Sequence, residues 1–117
     1  MVTPNKVYNS VLVDCSHIHD WESFHDIFVE QLGFPHFYGR NMNAWIDCLT
    51  SIDCKEDGMT ALHAPPDGFF VLDLRGTRDL KKGCPEIYDA VIECSAFVNY
   101  RRTEMGDDPV LLLSFHD

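Results

Sequence analysis

The sequence predicts a single α/β domain spanning residues 1–117, with a three-stranded parallel sheet on one side and helices on the other. Three apolar runs of strand length carry this prediction, at residues 7–14, 69–74 and 110–115. The segments between these runs have apolar residues at helical spacing, which gives the order β-α-α-β-α-β. Helices between successive strands favour parallel pairing with right-handed crossovers, and 117 residues are enough for one compact core.

The first strand and the first helix have clear local signals. Residues 7–14, VYNSVLVD, are rich in the β-branched and aromatic side chains that are typical of strands. Helical spacing of apolar residues predicts a helix over residues 21–32, with Asp20 as its N-cap. Gly33 stands where a helix end favours a left-handed residue, and Pro35 prevents the helix from continuing.

The second helix is predicted over residues 42–52. Asn41 is a good N-cap for it, and Gly39 in the preceding turn is free to adopt a positive φ. Trp45 lies on the apolar side of this helix. We therefore expect Trp45 to be buried against the first helix.

The second half of the chain begins with an irregular stretch, residues 53–68, in which charged residues, glycine and proline are mixed. Residues 69–74, FFVLDL, form a nearly continuous apolar run, which is typical of a strand covered on both faces. Residues 75–85 concentrate four basic residues in a connection, or at most a short helical turn. The last three predicted elements are a helix, a polar turn and a buried strand, at residues 85–99, 100–109 and 110–115.

Charge is the unusual property of the composition. The chain has 19 Asp and Glu residues against 9 Lys and Arg, a formal net charge of −10. So acidic a surface repels phosphate backbones, which argues against direct binding of nucleic acid, and it attracts basic partners. An acidic surface that serves only solubility is the alternative.

Cysteine usage and hydropathy favour a cytoplasmic protein. The five cysteines are an odd number and include no CxxC pair, so reduced thiols are expected. The first ten residues, MVTPNKVYNS, lack the apolar core of a signal peptide. The longest apolar runs are too short to cross a bilayer, so no membrane association is expected.

One segment carries a family pattern. Residues 32–52, LGFPHFYGRNMNAWIDCLTSI, resemble the barstar family of intracellular ribonuclease inhibitors. The pattern is a proline turn, an aromatic pair before glycine, an asparagine, and an Asp-Cys-Leu-Thr run. The matching residues are Pro35, Phe37, Tyr38, Gly39, Asn41, Ala44, Asp47, Cys48, Leu49 and Thr50.

The resemblance implies a barstar-like domain that blocks the active-site groove of a basic ribonuclease or ribonuclease toxin, as an immunity protein or antitoxin. It implies no catalysis, no cofactor and no bound metal, and a monomer when the partner is absent. The implied partner-binding residues are Phe37, Tyr38, Gly39, Asn41, Met42, Asn43, Ile46 and Asp47. The helix before the last strand adds an acidic contact, for which Glu93 is the best match and Asp89 or Glu86 the alternatives.

Asp47 also has a physical argument of its own. A ribonuclease binds a phosphodiester, so its groove is lined with cationic side chains, and a rigidly held carboxylate can take the place of the phosphate. Asp47 is short, lies in the middle of a helix and has apolar neighbours that fix its direction. Phe37 and Tyr38 precede a glycine in a turn, where we expect exposed aromatic side chains that anchor an interface.

Three departures from the family pattern favour a ribonuclease other than barnase as the target. Asn43 stands where the family pattern has a second aspartate. Ile46 stands in place of a tryptophan, with Trp45 one position earlier, and Arg40 replaces an acidic residue.

The sequence leaves three other classes of function open. Two histidines, His17 and His19, lie near Asp20 and Cys15 and could form a metal site, although ordinary exposed or hydrogen-bonded histidines are the alternative. Cys48 or Cys84 with a histidine could form a thiol enzyme, against a buried Cys48 that only packs. The third alternative is a barstar-like interaction module that binds a partner other than a nuclease.

Overall fold

The computed structural model describes residues 7–117. The expectation that the first ten residues are not a signal peptide therefore lies largely outside the described residues. Seven helices and strands form the fold, together with single 3-10 turns at Cys15–His17 and Lys55–Asp57. They are β1 (Tyr8–Asp14), α1 (Trp21–Leu32), α2 (Met42–Thr50), β2 (Phe69–Arg75), α3 (Thr77–Gly83), α4 (Pro85–Glu104) and β3 (Leu111–His116).

The three strands form one sheet in the order β1-β2-β3, with both pairs parallel. Val11 of β1 lies opposite Leu72 of β2, which in turn lies opposite Leu113 of β3. The predicted three-stranded parallel sheet is confirmed. The order of elements is β-α-α-β-α-α-β, with one helix more than predicted.

Helices cover one face of the sheet. Along β2, Phe70, Leu72 and Leu74 are buried, while the alternate residues Phe69 and Val71 are only partly buried. The prediction that this strand is covered on both faces is therefore wrong for the described residues. β2 is the central strand, so β1 and β3 on either side shield part of these alternate side chains from solvent.

The ends of α1 are those that the sequence predicts. The Asp20 carboxylate accepts a hydrogen bond from the Ser23 amide at 2.8 Å, and Gly33 closes the helix with φ of 68°. The amide of Ala61 donates to the Leu32 carbonyl at 2.8 Å. The irregular stretch at residues 53–68 thus binds the carboxyl end of α1.

Two predictions between β2 and β3 need correction. Residues 77–83 form the helix α3, longer than the connection or short helical turn expected there, and α4 continues to Glu104, beyond the predicted end at residue 99. Because the first glycine after residue 99 is Gly106, nothing in the chain stops α4 earlier. Arg101 and Arg102, assigned to a polar turn by the sequence, therefore belong to a helix and face its neighbours.

All five cysteines are free thiols, of which Cys15 and Cys48 are buried. Across residues 7–117 the structure has no helix with both the length and the apolar character that a membrane crossing requires.

Candidate partner-binding surface

The loop between α1 and α2 is fixed to α1 by two side chains. The Tyr38 hydroxyl lies 2.6 Å from Nδ1 of His25, which is buried in the middle of α1. Arg40 donates to the Glu22 carbonyl at 3.0 Å and to the Asp26 carboxylate at 2.7 Å. These contacts attach the loop to α1 at two points.

The aromatic pair of this loop is divided between core and surface. Phe37 is 66% exposed, as expected, whereas Tyr38 is 8% exposed and packs against Phe34. The expectation that Tyr38 is exposed is wrong, because its ring completes the core while its hydroxyl bonds to His25. The buried hydroxyl also has a raised pKa, since burial disfavours the phenolate.

The left-handed residue of the turn is Arg40, with φ of 53°, and not Gly39. At Gly39 an added Cβ would make one tight contact, 3.3 Å from the Asn41 side-chain nitrogen, and one ordinary contact, 3.5 Å from Cβ of Ala44. The strain at Arg40 is offset by its two hydrogen bonds to α1. Asn41 caps α2 as predicted, accepting from the Ala44 amide at 2.8 Å.

Helix α2 presents a narrow exposed edge. Asn43 and Asp47 are exposed and lie one turn apart, and Met42 is partly buried. Trp45 is fully buried between Phe24 and Phe28 of α1, which confirms the expectation for it.

Ile46 is 8% exposed, so its side chain faces the interior in the free protein. Of the nine residues singled out from the sequence, Tyr38 and Ile46 thus support the surface from beneath. The exposed members are Phe37, Gly39, Asn41, Asn43, Asp47 and Glu93.

Asp47 points outward and is paired. Its Oδ1 accepts a hydrogen bond from Nη1 of Arg101 on α4 at 2.6 Å, and its side chain remains 54% exposed. Ion pairs at this exposure contribute about 0–1 kcal/mol to stability, so a partner's cation can replace Arg101 at small cost. Arg101 was not among the predicted site residues, because residues 100–109 were assigned to a turn. The signal in the sequence was the four-residue spacing from Val98 to Arg102, which continues the register of the helix.

The direction of α2 is set by a buried arginine on α4. Arg102 donates to both carboxylate oxygens of Asp53, at 2.9 and 3.0 Å, and to the Thr50 carbonyl at 2.9 Å. These hydrogen bonds lower the pKa of Asp53. Arg102 therefore holds the carboxyl end of α2 and the start of the next loop against α4.

Glu93 lies on α4 two turns before Arg101 and is exposed. Asp89 and Glu86, the alternatives, are exposed on earlier turns of α4. Of the three, Glu93 lies nearest to Arg101 along the helix.

Neither Cys48 nor the group of Ser114, His116 and Asp73, which the sequence did not suggest, has the arrangement of an activated nucleophile. Burial raises the pKa of the Cys48 thiol to about 11, so it is protonated at neutral pH. Ser114 Oγ and Asp73 Oδ1 lie 2.9 and 3.0 Å from the same His116 nitrogen, Nε2, so these three residues do not form a proton relay across the ring.

The histidines suggested as metal ligands, His17 and His19, do not belong to a larger cluster of ligands among the described residues. Within residues 7–117, no group of three or more His, Cys, Asp or Glu side chains is placed to hold a metal ion. His17 lies 3.4 Å from Asp14 in an exposed pair.

The two arginines of the basic stretch at residues 75–85 form ion pairs with acidic side chains. Arg75 pairs with Asp73 at 3.0 Å, and Arg78 pairs with Asp117 at 2.7 Å.

Comparison with known proteins identifies a family that matches most of the chain. The family described as "Barstar (barnase inhibitor)" matches residues 8–114, from the first residue of β1 into β3. A protein of Bacillus subtilis (strain 168) named "Putative ribonuclease inhibitor YrdF" is 40% identical over 40 residues. That segment is 34% of this chain and 44% of the relative, so the match spans less than half of the relative's length.

Proposed function

The chain belongs to the barstar family, and on that premise we propose that it inhibits a ribonuclease by covering the enzyme's active-site groove with α2 and the loop before it. The observation that carries the proposal is the Asp47 carboxylate. It lies in the middle of a helix, points to solvent and is held by one replaceable ion pair. A family match over residues 8–114 and a relative named as an inhibitor support the same role.

Asp47 has the properties that a phosphate substitute requires. Charge-assisted hydrogen bonds between a carboxylate and guanidinium groups are strong when the site is dry and the geometry is bidentate. Desolvating the carboxylate is the opposing cost, and a groove that pairs it fully offsets that cost. Phe37, exposed at the start of the same surface, supplies apolar area that can exclude water from the contact.

The net charge of −10 favours rapid encounter with a basic enzyme. The proposed role is that of an immunity protein or antitoxin acting in the cytoplasm, where it would neutralise a nuclease before export. The departures at Asn43 and Ile46 favour a target other than barnase, so a panel of small basic secreted ribonucleases that includes barnase is the appropriate probe.

The test of the site is inhibition of RNA hydrolysis by that panel, with Asp47→Ala as the variant. We expect the wild-type chain to inhibit at least one enzyme, and Asp47→Ala to weaken inhibition about 30-fold or more, the loss typical of truncating one member of a desolvated charge pair. The matched control is Asp117→Ala, because Asp117 also forms an exposed ion pair with an arginine, at 2.7 Å, but at the end of the sheet.

Full inhibition by Asp47→Ala with an unchanged circular dichroism spectrum would remove this carboxylate from the mechanism. Inhibition of none of the enzymes would favour an interaction module with a partner other than a nuclease. Association should slow as salt increases, because screening weakens steering. Co-expression of the chain with the inhibited enzyme should rescue bacterial growth, which tests the role inside the cell.

A further inference from the structure

Helix α4 carries an exposed aromatic pair that the core does not use. Phe97 is 49% exposed and Tyr100 is 58% exposed, with their ring centroids 6.1 Å apart. The buried stripe of α4 is formed by other residues, namely Ile87, Val91, Ser95, Val98 and Arg102. The aromatic pair therefore adds apolar surface to the outside of the protein without stabilising its interior.

The pair is continuous with the α2 surface. Glu93, Phe97 and Arg101 are spaced four residues apart, so they form one row along α4. Arg101 ends this row with its hydrogen bond to Asp47, at 2.6 Å. A partner that reaches Asp47 therefore has Phe97 within one helical turn of the same ion pair.

The size of the exposed surface of α2 gives a second reason to extend the partner-binding surface onto α4. Helix α2 has nine residues, about 14 Å of length, and exposes little beyond Asn43 and Asp47. A stable interface buries roughly 800 Å² on each partner and involves about 20–30 residues a side. Of residues 36–47, seven are exposed, fewer than the roughly 20–30 residues of a typical interface side, so the loop and α2 alone are smaller than such an interface.

The charge around the pair matches the same kind of partner. Glu93 lies one turn before Phe97, and Glu104 lies one turn after Tyr100, both exposed. An aromatic centre with acidic side chains around it is complementary to a basic protein surface that has an apolar area beside its cationic groove. Tyrosine and other aromatic side chains are the residues most often found as interface anchors.

We propose that Phe97 and Tyr100 form a second anchor of the partner-binding surface, docking on an apolar ledge beside the ribonuclease groove while Asp47 enters the groove. This inference rests on the proposed function, since the occupant is the same ribonuclease. The two anchors act differently. The carboxylate contributes to charge recognition and association, and the aromatic pair slows dissociation by burying apolar area.

The experiment measures binding of Phe97→Ala, Tyr100→Ala and the double variant to the enzyme most strongly inhibited in the ribonuclease panel. We expect each single variant to raise Kd about 10- to 100-fold, mainly through faster dissociation, with an association rate and salt dependence like those of wild type. Tyr8→Ala is the control, because Tyr8 is 63% exposed on the open face of the sheet and should leave Kd unchanged.

The outcomes separate this inference from the function on which it rests. If Asp47→Ala loses inhibition while Phe97→Ala and Tyr100→Ala bind like wild type, the second anchor is wrong and the proposed function stands. If Tyr8→Ala weakens binding as much as they do, the effect is not local and the inference is also wrong.

Two further outcomes would overturn the inference through its occupant. A wild-type dimer in sedimentation that the double variant abolishes, with inhibition unchanged, would assign the aromatic pair to contact with a second copy of this chain. If the panel contains no inhibited enzyme, the proposed function fails and the second anchor fails with it.

Discussion

Replacing Arg102 with alanine should destabilise the fold strongly, because this side chain joins α2, α4 and the loop that follows α2. The side chain of Arg102 is 7% exposed and donates to Asp53, to the Thr50 carbonyl at 2.9 Å and to the Asp108 carbonyl at 2.7 Å. Removing one member of a buried ion pair typically costs about 3–5 kcal/mol. The Asp53 side chain is 37% exposed, so water can solvate its carboxylate after the change, and we expect the lower value, about 3 kcal/mol.

The neighbouring residue provides a matched control for this prediction. Arg101→Ala removes an arginine from the same helix, but its ion pair with Asp47 is exposed and should contribute about 0–1 kcal/mol. Urea unfolding at pH 7, followed by circular dichroism, gives the free energy of unfolding of both variants. A loss of about 3 kcal/mol corresponds to a Tm about 12 °C lower for a domain of this size. If the two variants differ by less than about 1 kcal/mol, Arg102 does not connect the helices as its contacts indicate.

Three further predictions concern pH and backbone conformation. The hydrogen bonds from Arg102 lower the pKa of Asp53. The stabilising effect of the Asp53 carboxylate is therefore present above about pH 4 and is lost as pH falls through the lowered pKa. The difference in free energy of unfolding between wild type and Asp53→Asn should shrink over that range, and a constant difference would contradict this. Tyr38→Phe should lower the free energy of unfolding by about 1–3 kcal/mol, because it leaves a buried ring nitrogen of His25 without its partner. Burial lowers the pKa of His25, so wild type should lose stability below about pH 6.5 while His25→Gln does not. Parallel pH profiles of stability for the two proteins would refute the effect of burial. Gly33→Ala and Gly58→Ala impose the same backbone strain, at φ of 68° and 67°, but only at Gly33 would the new Cβ lie 2.4 Å from a neighbouring side chain, that of Ala61. Gly33→Ala should therefore destabilise the protein by about 1–3 kcal/mol more in thermal unfolding. Equal losses would show that the loop containing Ala61 moves without cost.

Much of the fold follows from local patterns in the sequence. The strand at residues 69–74 and the helix at residues 21–32 are marked by an apolar run and by caps at both ends, which are short-range signals. Helix α3 was missed because its seven residues include four basic or acidic side chains and show little apolar periodicity. It is stabilised instead by tertiary contacts, such as the bond from Thr77 Oγ1 to the His116 carbonyl at 2.9 Å. Contacts of this kind, 39 residues apart, leave no local pattern.

The exposure of side chains at the candidate surface was predictable on α2 but not in the loop before it. Spacing along α2 placed Asp47 on the outside and Trp45 on the inside, because a helix fixes the direction of each side chain. No such rule applies to a turn, so the burial of Tyr38 could not be deduced from its neighbours. That burial depends on His25, which lies 13 residues earlier and supplies both space and a hydrogen-bond partner. The ion pair between Asp47 and Arg101 could not be predicted from neighbouring residues either, because its two members are 54 residues apart in the sequence.

The distribution of buried and exposed residues would favour tight binding if the proposed surface contacts a partner. Tyr38 fixes the loop to α1, and Arg102 fixes the end of α2 to α4, so both segments are ordered by buried contacts in the free protein. The conformational entropy lost on binding is then limited to exposed side chains such as Phe37 and Asp47. Weakening either buried contact should therefore reduce affinity without touching the partner, since the loop or helix would have to be ordered again during binding.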